Sequence, residues 1–190
     1  MYDIGGQFYN KQCYQQALYW FKKTADAGHA GAINQLGYCY YHALGVNKDY
    51  QQAVHWKGKA AEASNSVAMF ILGYCYIEGE GVDQDHQQAF YWFKKGAEAG
   101  YAGAMNCLGC CYFNGLGVEQ DYSQAVFYYL KAAELGNRPG MYNLGICYKH
   151  DRGVPKDLHQ AIKWYEKAKN AGNEDAAEAI EGCKRELSFK

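Results

Sequence analysis

The chain has 190 residues, 49% of them hydrophobic, and a formal net charge of −1. Such a composition can supply a buried core, whereas the near-neutral charge and the lack of a basic stripe argue against nucleic acid or an anionic membrane as partner. The longest apolar run, near residues 125–130, is too short to cross a bilayer. The first residues do not form a signal peptide, so we expect a cytoplasmic protein; removal of a leader would leave secretion or the ER lumen open.

One sequence pattern recurs every 36 residues. Its Leu-Gly pair begins at Leu36, Leu72, Leu108 and Leu144, and the spacing is kept by Ala53, Ala89, Ala125 and Ala161. A fixed period of this length predicts a solenoid of stacked units, which offers a long surface and no deep catalytic cleft. We therefore expect a single array with repeats at about 1–28, 29–64, 65–100, 101–136 and 137–172, followed by a capping helix at 174–187.

Each repeat is predicted to begin with a helix that ends in Leu-Gly-x-x-Tyr. Leu36 and Tyr40 are four residues apart and share one helical face, which we expect to contact the second helix. Gly37 lies inside the helix, where glycine costs about 1 kcal/mol relative to alanine, so its recurrence predicts close approach of the partner helix. In the first repeat, Ile4-Gly5-x-x-Phe8 matches this pattern, but the turn that follows is four residues shorter.

A turn and a second helix complete the repeat. Glycines before Val82 and Val118 suit positive φ, and each of the four Asp residues at the predicted N-caps is followed three positions later by Gln, which indicates a capping box: Asp49, Asp85, Asp121 and Asp157. Glycines at 28, 100, 136 and 172 predict left-handed C-caps, with Ser64 in the remaining repeat. Lys57 stands where other repeats carry Phe21, Phe93, Tyr129 or Tyr165, so we expect that repeat to be the weakest.

The last predicted helix runs from Glu174 to Leu187. Ala177, Ile180, Cys183 and Leu187 are expected to form its apolar stripe, with charged residues on the opposite face. This pattern is typical of a helix that caps the last repeat. Together with the two helices of each repeat, it brings the expected number of helices to eleven.

These features resemble the Sel1-like repeat family, which is related to tetratricopeptide repeats. One repeat shows the pattern in full through Gly117-Val118, Asp121, Lys131-Ala132-Ala133-Glu134 and Gly136, and the resemblance covers nearly the whole chain. It implies an all-α fold, a right-handed αα-superhelix of about five repeats. It also implies an adaptor role in protein assembly, signalling, ER-associated degradation in eukaryotes or host contact by bacteria.

The eight cysteines do not form the disulfide pattern known for some members of that family. Cys39, Cys75, Cys111, Cys147 and Cys183 follow the period, and equivalent positions in adjacent repeats lie about 10 Å apart, which exceeds the roughly 7 Å limit for a disulfide. We expect buried, free thiols. Cys107, Cys110 and Cys111 leave open a thiol- or metal-dependent sensor, although no other ligands are spaced to complete a metal site, and we predict no metal and no cofactor.

No catalytic motif supports an enzyme. None of the four serines lies in a Ser-x-x-Lys or Gly-x-Ser-x-Gly motif, and neither a phosphate loop nor His-Glu-x-x-His is present. We therefore expect no enzyme. A hydrolase of the cysteine-rich type and a purely structural spacer remain the alternatives to a binding function.

The face of the first helices opposite Leu36 and Tyr40 is predicted to bind a protein or peptide. It is aromatic and aliphatic with interleaved amides, where a solvated face should be polar. The candidate residues are Asn34, Tyr38, Tyr41, His42, Phe70, Tyr74, Ile77, Asn106, Cys110, Phe113, Tyr142, Ile146 and Lys149. Rigid aromatic anchors and amides that bond a peptide backbone favour a concave peptide groove centred on Phe70, Tyr74, Asn106 and Phe113. Packing between neighbouring first helices is the alternative. We expect a monomer.

Overall fold

The computed structural model describes residues 14–188, and within this range the chain forms ten α-helices and no strand. Each helix has 13 residues: α1 Tyr14–Asp26, α2 Ala30–His42, α3 Tyr50–Glu62, α4 Ser66–Glu78, α5 His86–Glu98, α6 Ala102–Asn114, α7 Tyr122–Glu134, α8 Arg138–His150, α9 Leu158–Asn170 and α10 Ala176–Ser188. The helix predicted around Ile4 and Phe8 lies outside the described residues.

The helices belong to two compact units, with the boundary between Ala99 and Gly100. In the first unit, α2 packs against α3 and α4 against α5, and in the second unit α6 packs against α7 and α8 against α9. The last helix, α10, packs against α9. The all-α fold of consecutive helix pairs predicted from the period is therefore confirmed.

The glycine inside each first helix marks the tightest contact within a helix pair. A Cβ added at Gly73 would collide with the ring of Phe93, one at Gly109 would lie 2.7 Å from the Tyr129 ring, and one at Gly145 would collide with Tyr165. Such distances are well inside van der Waals contact. The predicted close approach of the partner helix is confirmed, and it lets a large aromatic side chain lie directly on the backbone of the neighbouring helix.

The connections between the helices of a pair use left-handed backbone as predicted. Gly79 ends α4 at φ 72° and Gly81 follows at φ 77°, and the position equivalent to Gly79 is held at positive φ by Ala43 and Asp151 in other repeats. A Cβ at Gly81 would collide with the carbonyl of Tyr50, the first residue of α3. The turn therefore contacts the main chain of the preceding second helix.

The Asp caps are confirmed, but only half of each capping box forms. Asp121 Oδ1 accepts hydrogen bonds from the backbone N–H groups of Ser123 and Gln124. The backbone N–H of Asp121 donates to the carbonyl of Tyr112 in the preceding helix at 2.9 Å, so the Gln side chain is not needed as its acceptor. The same bond joins Asp49 to Tyr40, and it connects the two helices of a pair through main-chain atoms.

The C-terminal helix differs from expectation in one residue of its apolar stripe. Ala177 is exposed, whereas Ala176, Ile180 and Cys183 are buried. The buried residues follow the spacing i, i+4, i+7 of a helical face, and Ala176 fits that spacing because the helix begins there. Leu187 is half-buried against the same cluster.

Candidate functional site

In the first unit, the predicted surface of α2 and α4 contains two partly exposed tyrosines. Tyr38 is 36% exposed and Tyr74 is 43% exposed, which makes them large apolar side chains at the surface. Their neighbours on this surface, Asn34, Tyr41 and Phe70, are half-buried, and His42 is exposed. Ile77 is half-buried. The first unit therefore brings its predicted residues to a surface that is accessible at its tyrosines and packed beneath them.

The exposed ring of Tyr74 rests on core aromatics. Its centroid lies 4.9 Å from Phe70 and 5.5 Å from the buried Phe93, both edge-on. Tyr74 is exposed, as expected of a residue opposite the core face, but its ring also contacts the core: because Gly73 has no side chain, the Phe93 ring of α5 reaches across α4 to Tyr74. This edge-to-face packing fixes the orientation of the ring.

A cavity of about 220 Å³ opens between the residues of α2 and α4. Its walls are mainly apolar, and its lining residues are Tyr38, Tyr41, His42, Lys57, Ile71, Tyr74, Cys75 and Glu80. Three of the predicted binding residues on α2 therefore share one cavity with Tyr74. Lys57 enters it from α3, the partner of α2.

Lys57 is almost completely buried, with 2% of its surface exposed. Its stem crosses Gly37, where an added Cβ would lie 3.0 Å from Lys57 Cγ, and its Nζ donates to Asn34 Oδ1 at 2.7 Å and to the Asn34 carbonyl at 3.2 Å. Burial lowers the pKa of Lys57 to about 8. An aliphatic stem thus replaces the aromatic ring of the other repeats, and it carries a poorly solvated charge to the predicted surface.

Glu80 and Tyr41 close one side of the cavity. The Tyr41 hydroxyl donates to Glu80 Oε2, and this bond, with burial adding to it, raises the pKa of Tyr41 to about 12. Desolvation, helped by the charges of Lys57 and Lys48, lowers the pKa of His42. At neutral pH the tyrosine and the histidine are both neutral, which leaves Lys57 and Glu80 as the charged residues that line the cavity.

In the second unit, the predicted amide Asn106 bonds to an amide of the next first helix. Asn143 Nδ2 donates to Asn106 Oδ1 at 2.9 Å, which connects the neighbouring first helices α6 and α8. Cys110 accepts a hydrogen bond from the Tyr129 hydroxyl at 3.4 Å, and Phe113 lies 5.1 Å edge-on from Tyr122. Phe113 was expected on the face opposite the one that contacts the second helix, and this is wrong, since it packs against the buried cluster around Tyr129. Here packing between first helices accounts for part of the pattern.

The predicted residues of the last repeat lie near the capping helix. Tyr142 and Ile146 pack against the cluster that contains Ile180 and Cys183 of α10. An added Cβ at Gly182 would lie 3.5 Å from Lys149 Nζ. The capping helix therefore covers part of the surface that these three residues would offer.

The described cysteines are Cys39, Cys75, Cys107, Cys110, Cys111, Cys147 and Cys183, and no disulfide joins any two of them; Cys13 lies outside the described residues. Burial raises the pKa of Cys39 and Cys75 to about 11 and that of Cys111 to about 12. Between residues 14 and 188, no group of three or more His, Cys, Asp or Glu side chains could hold a metal ion. Thiols kept protonated in this way are poor nucleophiles and poor ligands.

The sequence indicated the tyrosines that line this cavity but not its lysine. Lys57 was recognised only as a departure from the aromatic residues at its position in the repeat. It lies on the second helix, whose side chains were not expected on the first-helix surface. One feature of the sequence could have indicated it: Lys57 occupies the position of the aromatic residues, opposite Gly37. A long aliphatic stem that crosses a glycine can reach the far side of the helix that contains the glycine, here α2.

Comparison with known proteins identifies the repeats. The family model of the Sel1 repeat matches residues 1–29, 30–65, 66–101, 102–137 and 138–173, with boundaries about one residue later than those expected from the sequence. Comparison with curated proteins gave no match. Sel1 repeat proteins act in general as protein-interaction scaffolds, and the fold is typically non-enzymatic.

Solved structures show the same fold. A Sel1 repeat protein from Oxalobacter formigenes is 35% identical, with a TM-score of 0.85 over 92% of this chain and 73% of that one. The protective antigen c5321 of uropathogenic Escherichia coli is 38% identical with a TM-score of 0.81, and the match covers 84% of this chain but only 34% of the antigen. Cysteine-rich protein B of Helicobacter pylori is 31% identical, with a TM-score of 0.55 over 68% and 93% of the two chains.

Proposed function

Because this chain belongs to the Sel1 repeat family, we propose that it binds a protein or peptide partner through the surface of its first helices. The observation that carries the proposal is the pair of partly exposed tyrosines, Tyr38 and Tyr74, on adjacent first helices of the first unit and beside one cavity. Exposed aromatic rings held rigidly by packing lose little entropy on binding, and such residues dominate many interfaces.

The amide groups support the same interpretation. Asn34 and Asn106 accept hydrogen bonds through Oδ1 from Lys57 and Asn143, and these bonds fix their side chains. In the part of the chain that the structure describes, no acceptor bonds the Nδ2 group of either residue. Each can therefore donate to the carbonyl of an extended peptide without first losing an internal partner.

The test uses two tyrosines that are matched in exposure. Tyr74 on the first helix α4 is 43% exposed, and Tyr91 on the second helix α5 is 46% exposed. Peptides are selected from a displayed random library against the parent chain, and their affinities for the Tyr74→Ala and Tyr91→Ala variants are measured. We expect Tyr74→Ala to weaken binding at least tenfold and Tyr91→Ala to change it less than twofold, because the anchor contributes only where a partner covers it.

Far-UV circular dichroism and a thermal melt verify that both variants stay folded. The proposal requires that only Tyr74→Ala weakens binding. Equal loss of binding in the two variants, or loss in Tyr91→Ala alone, would indicate that second helices take part in binding and would contradict the proposal. Selected peptides that bind both variants as well as the parent would also contradict it.

A further inference from the structure

Lys57 is a buried cation that forms no salt bridge with any described residue. Both described acceptors of its ammonium belong to Asn34 and are neutral oxygens. The two salt bridges found in residues 14–188 involve other lysines, Lys156 and Lys184. Buried charges in proteins are ordinarily paired. An ammonium has three N–H donors, so the third remains available to a ligand.

The third N–H of the Lys57 ammonium is available beside a cavity. Lys57 itself lines the cavity of about 220 Å³, together with Ile71 and the rings of Tyr38 and Tyr74, and its Nζ lies 6.0 Å from the Tyr38 ring centroid. In other repeats the equivalent position is filled by the rings of buried Phe93 or Tyr129. Replacing the ring by a lysine stem thus leaves room for an apolar group beside a cation.

Charge and wall chemistry restrict the ligand. One ammonium balances one negative charge, and the Glu80 carboxylate on the lining opposes a dianion such as phosphate. The apolar and aromatic walls favour a ligand that carries an apolar group close to its anionic group. The C-terminal residue of a polypeptide has both on the same Cα, whereas an internal Asp or Glu residue has only the carboxylate.

We propose that the cavity beside Lys57 binds the C-terminal residue of a partner polypeptide, with its carboxylate accepting a hydrogen bond from the Lys57 ammonium and its apolar side chain between Tyr38 and Tyr74. The inference rests on the proposed partner-binding function and specifies which end of the partner the first unit recognises. The Asn34 bonds hold the ammonium in place, so the ligand does not have to order a flexible lysine.

The test compares four probes by NMR titration of the isotope-labelled full chain. They are acetyl-Ala-Ala-Leu as the free acid, the same peptide as its C-terminal amide, acetyl-Glu-amide and 4-methylpentanoate. We expect the free acid to bind at least tenfold more tightly than the amide and to shift the resonances of Tyr38 and Tyr74. Tighter binding of acetyl-Glu-amide than of the free acid, or binding of 4-methylpentanoate without the free-acid peptide, would overturn the assignment to a C-terminus.

Two variants separate the charge from the fold. Lys57→Met keeps the length of the stem and removes the ammonium, so the preference for acid over amide should disappear. Lys59→Met is the control, because Lys59 is exposed on the same helix and lies over the Trp56 ring, 4.7 Å from its centroid, and it should keep the preference. An unchanged preference in Lys57→Met would overturn the proposal.

A pH series on the parent chain keeps the test valid if Lys57→Met fails to fold. With a pKa of about 8, Lys57 is mostly charged at pH 7 and about one-tenth charged at pH 9, so the acid should bind about tenfold more weakly at pH 9 while the amide is unaffected. The titratable or charged groups around the cavity are Tyr38, Cys39, Tyr41, His42, Lys48, Tyr74, Cys75 and Glu80. Of these, the two thiols and Tyr41 stay protonated and His42 stays neutral between pH 7 and 9, because their pKa values are displaced away from that interval.

The experiments distinguish failure of the C-terminus proposal from failure of the proposed partner-binding function. If the binding of library-selected peptides depends on Tyr74 but not on Lys57 or on a free C-terminus, the first-helix surface binds partners, and the cavity beside Lys57 does not recognise their C-terminal residues. If selected peptides ignore Tyr74 as well, the proposed function itself is contradicted.

Discussion

Glycines lie at the tightest contacts between the paired helices of this protein. Their contribution to stability can be tested one residue at a time. Gly73→Ala should lower the free energy of unfolding by about 1–3 kcal/mol, because the new Cβ would collide with the buried Phe93 ring. Gly58→Ala, also inside a helix, should raise it by up to about 1 kcal/mol, because nothing lies within 4 Å of its added Cβ. Denaturant unfolding measures both changes, and the same sign for the two variants would contradict the packing described.

The contrast between these glycines shows what one sequence can and cannot predict. Gly73 could be assigned to a helix interface because its position recurs with the period, whereas Gly58 occurs in one repeat only. The environment of Lys57 could not be predicted, because its position in the repeat indicates only which helix it faces. That its ammonium reaches Asn34, 23 positions earlier in the chain, depends on the stem crossing Gly37, which is a matter of three-dimensional packing.

At the scale of the helix and its turn, the same backbone position is occupied by different residues in different repeats. Ala43 has φ 57° and the equivalent Gly79 has φ 72°, a conformation that costs an L-residue roughly 1 kcal/mol. We expect Ala43→Gly to raise the melting temperature and Gly79→Ala to lower it. The added Cβ of Gly79 would meet its nearest atoms at 3.6 Å, which is ordinary contact, so the second effect would come from the backbone alone. A fall in both melting temperatures would show that the side chain of Ala43 makes a contact that stabilises the fold by more than the left-handed backbone costs.

The helices themselves were the part of the structure that the sequence predicted best. The Asp N-caps, the left-handed C-caps and the pairing of helices all follow from local chemistry that is repeated four or five times. The second half of the capping box was wrong because the Tyr112 carbonyl, which belongs to another helix, takes the N–H of Asp121. Local patterns identify donors and acceptors, but tertiary contacts decide which of them meet.

For the whole molecule, the chemical state of its thiols gives a direct measurement. In a Cys13→Ser background, a thiol reagent should count seven cysteines after denaturation without reductant, and at pH 8 it should react slowly with the native chain. With a pKa near 11, Cys39 and Cys75 are about one-thousandth thiolate at pH 8. A denatured count near zero would mean that the cysteines pair in disulfides. Rapid native labelling would mean that the buried clusters open readily.

Within residues 14–188, no helix is long and apolar enough to cross a bilayer. In the first unit, Tyr38 and Tyr74 are exposed on first helices, and that a partner binds there stays a prediction. In the second unit, the pattern of amides and aromatics could not distinguish a surface from packing, because Asn106 and Phe113 look the same in sequence whether they contact a peptide or a neighbouring helix.

The turn at Gly81 rests against the carbonyl of Tyr50 at the start of the preceding second helix, and Gly153 lies in the same way against Tyr122. These contacts join one repeat to the previous one through peptide groups, which every residue type supplies. A gene segment encoding one repeat could therefore be duplicated without a matching substitution in the neighbouring repeat. The turn of each copy would pack against the same main-chain atoms of the preceding second helix. Growth by copying then separates two kinds of change: repeat number sets the length of the protein, while single replacements such as Lys57 give an individual repeat its own chemistry.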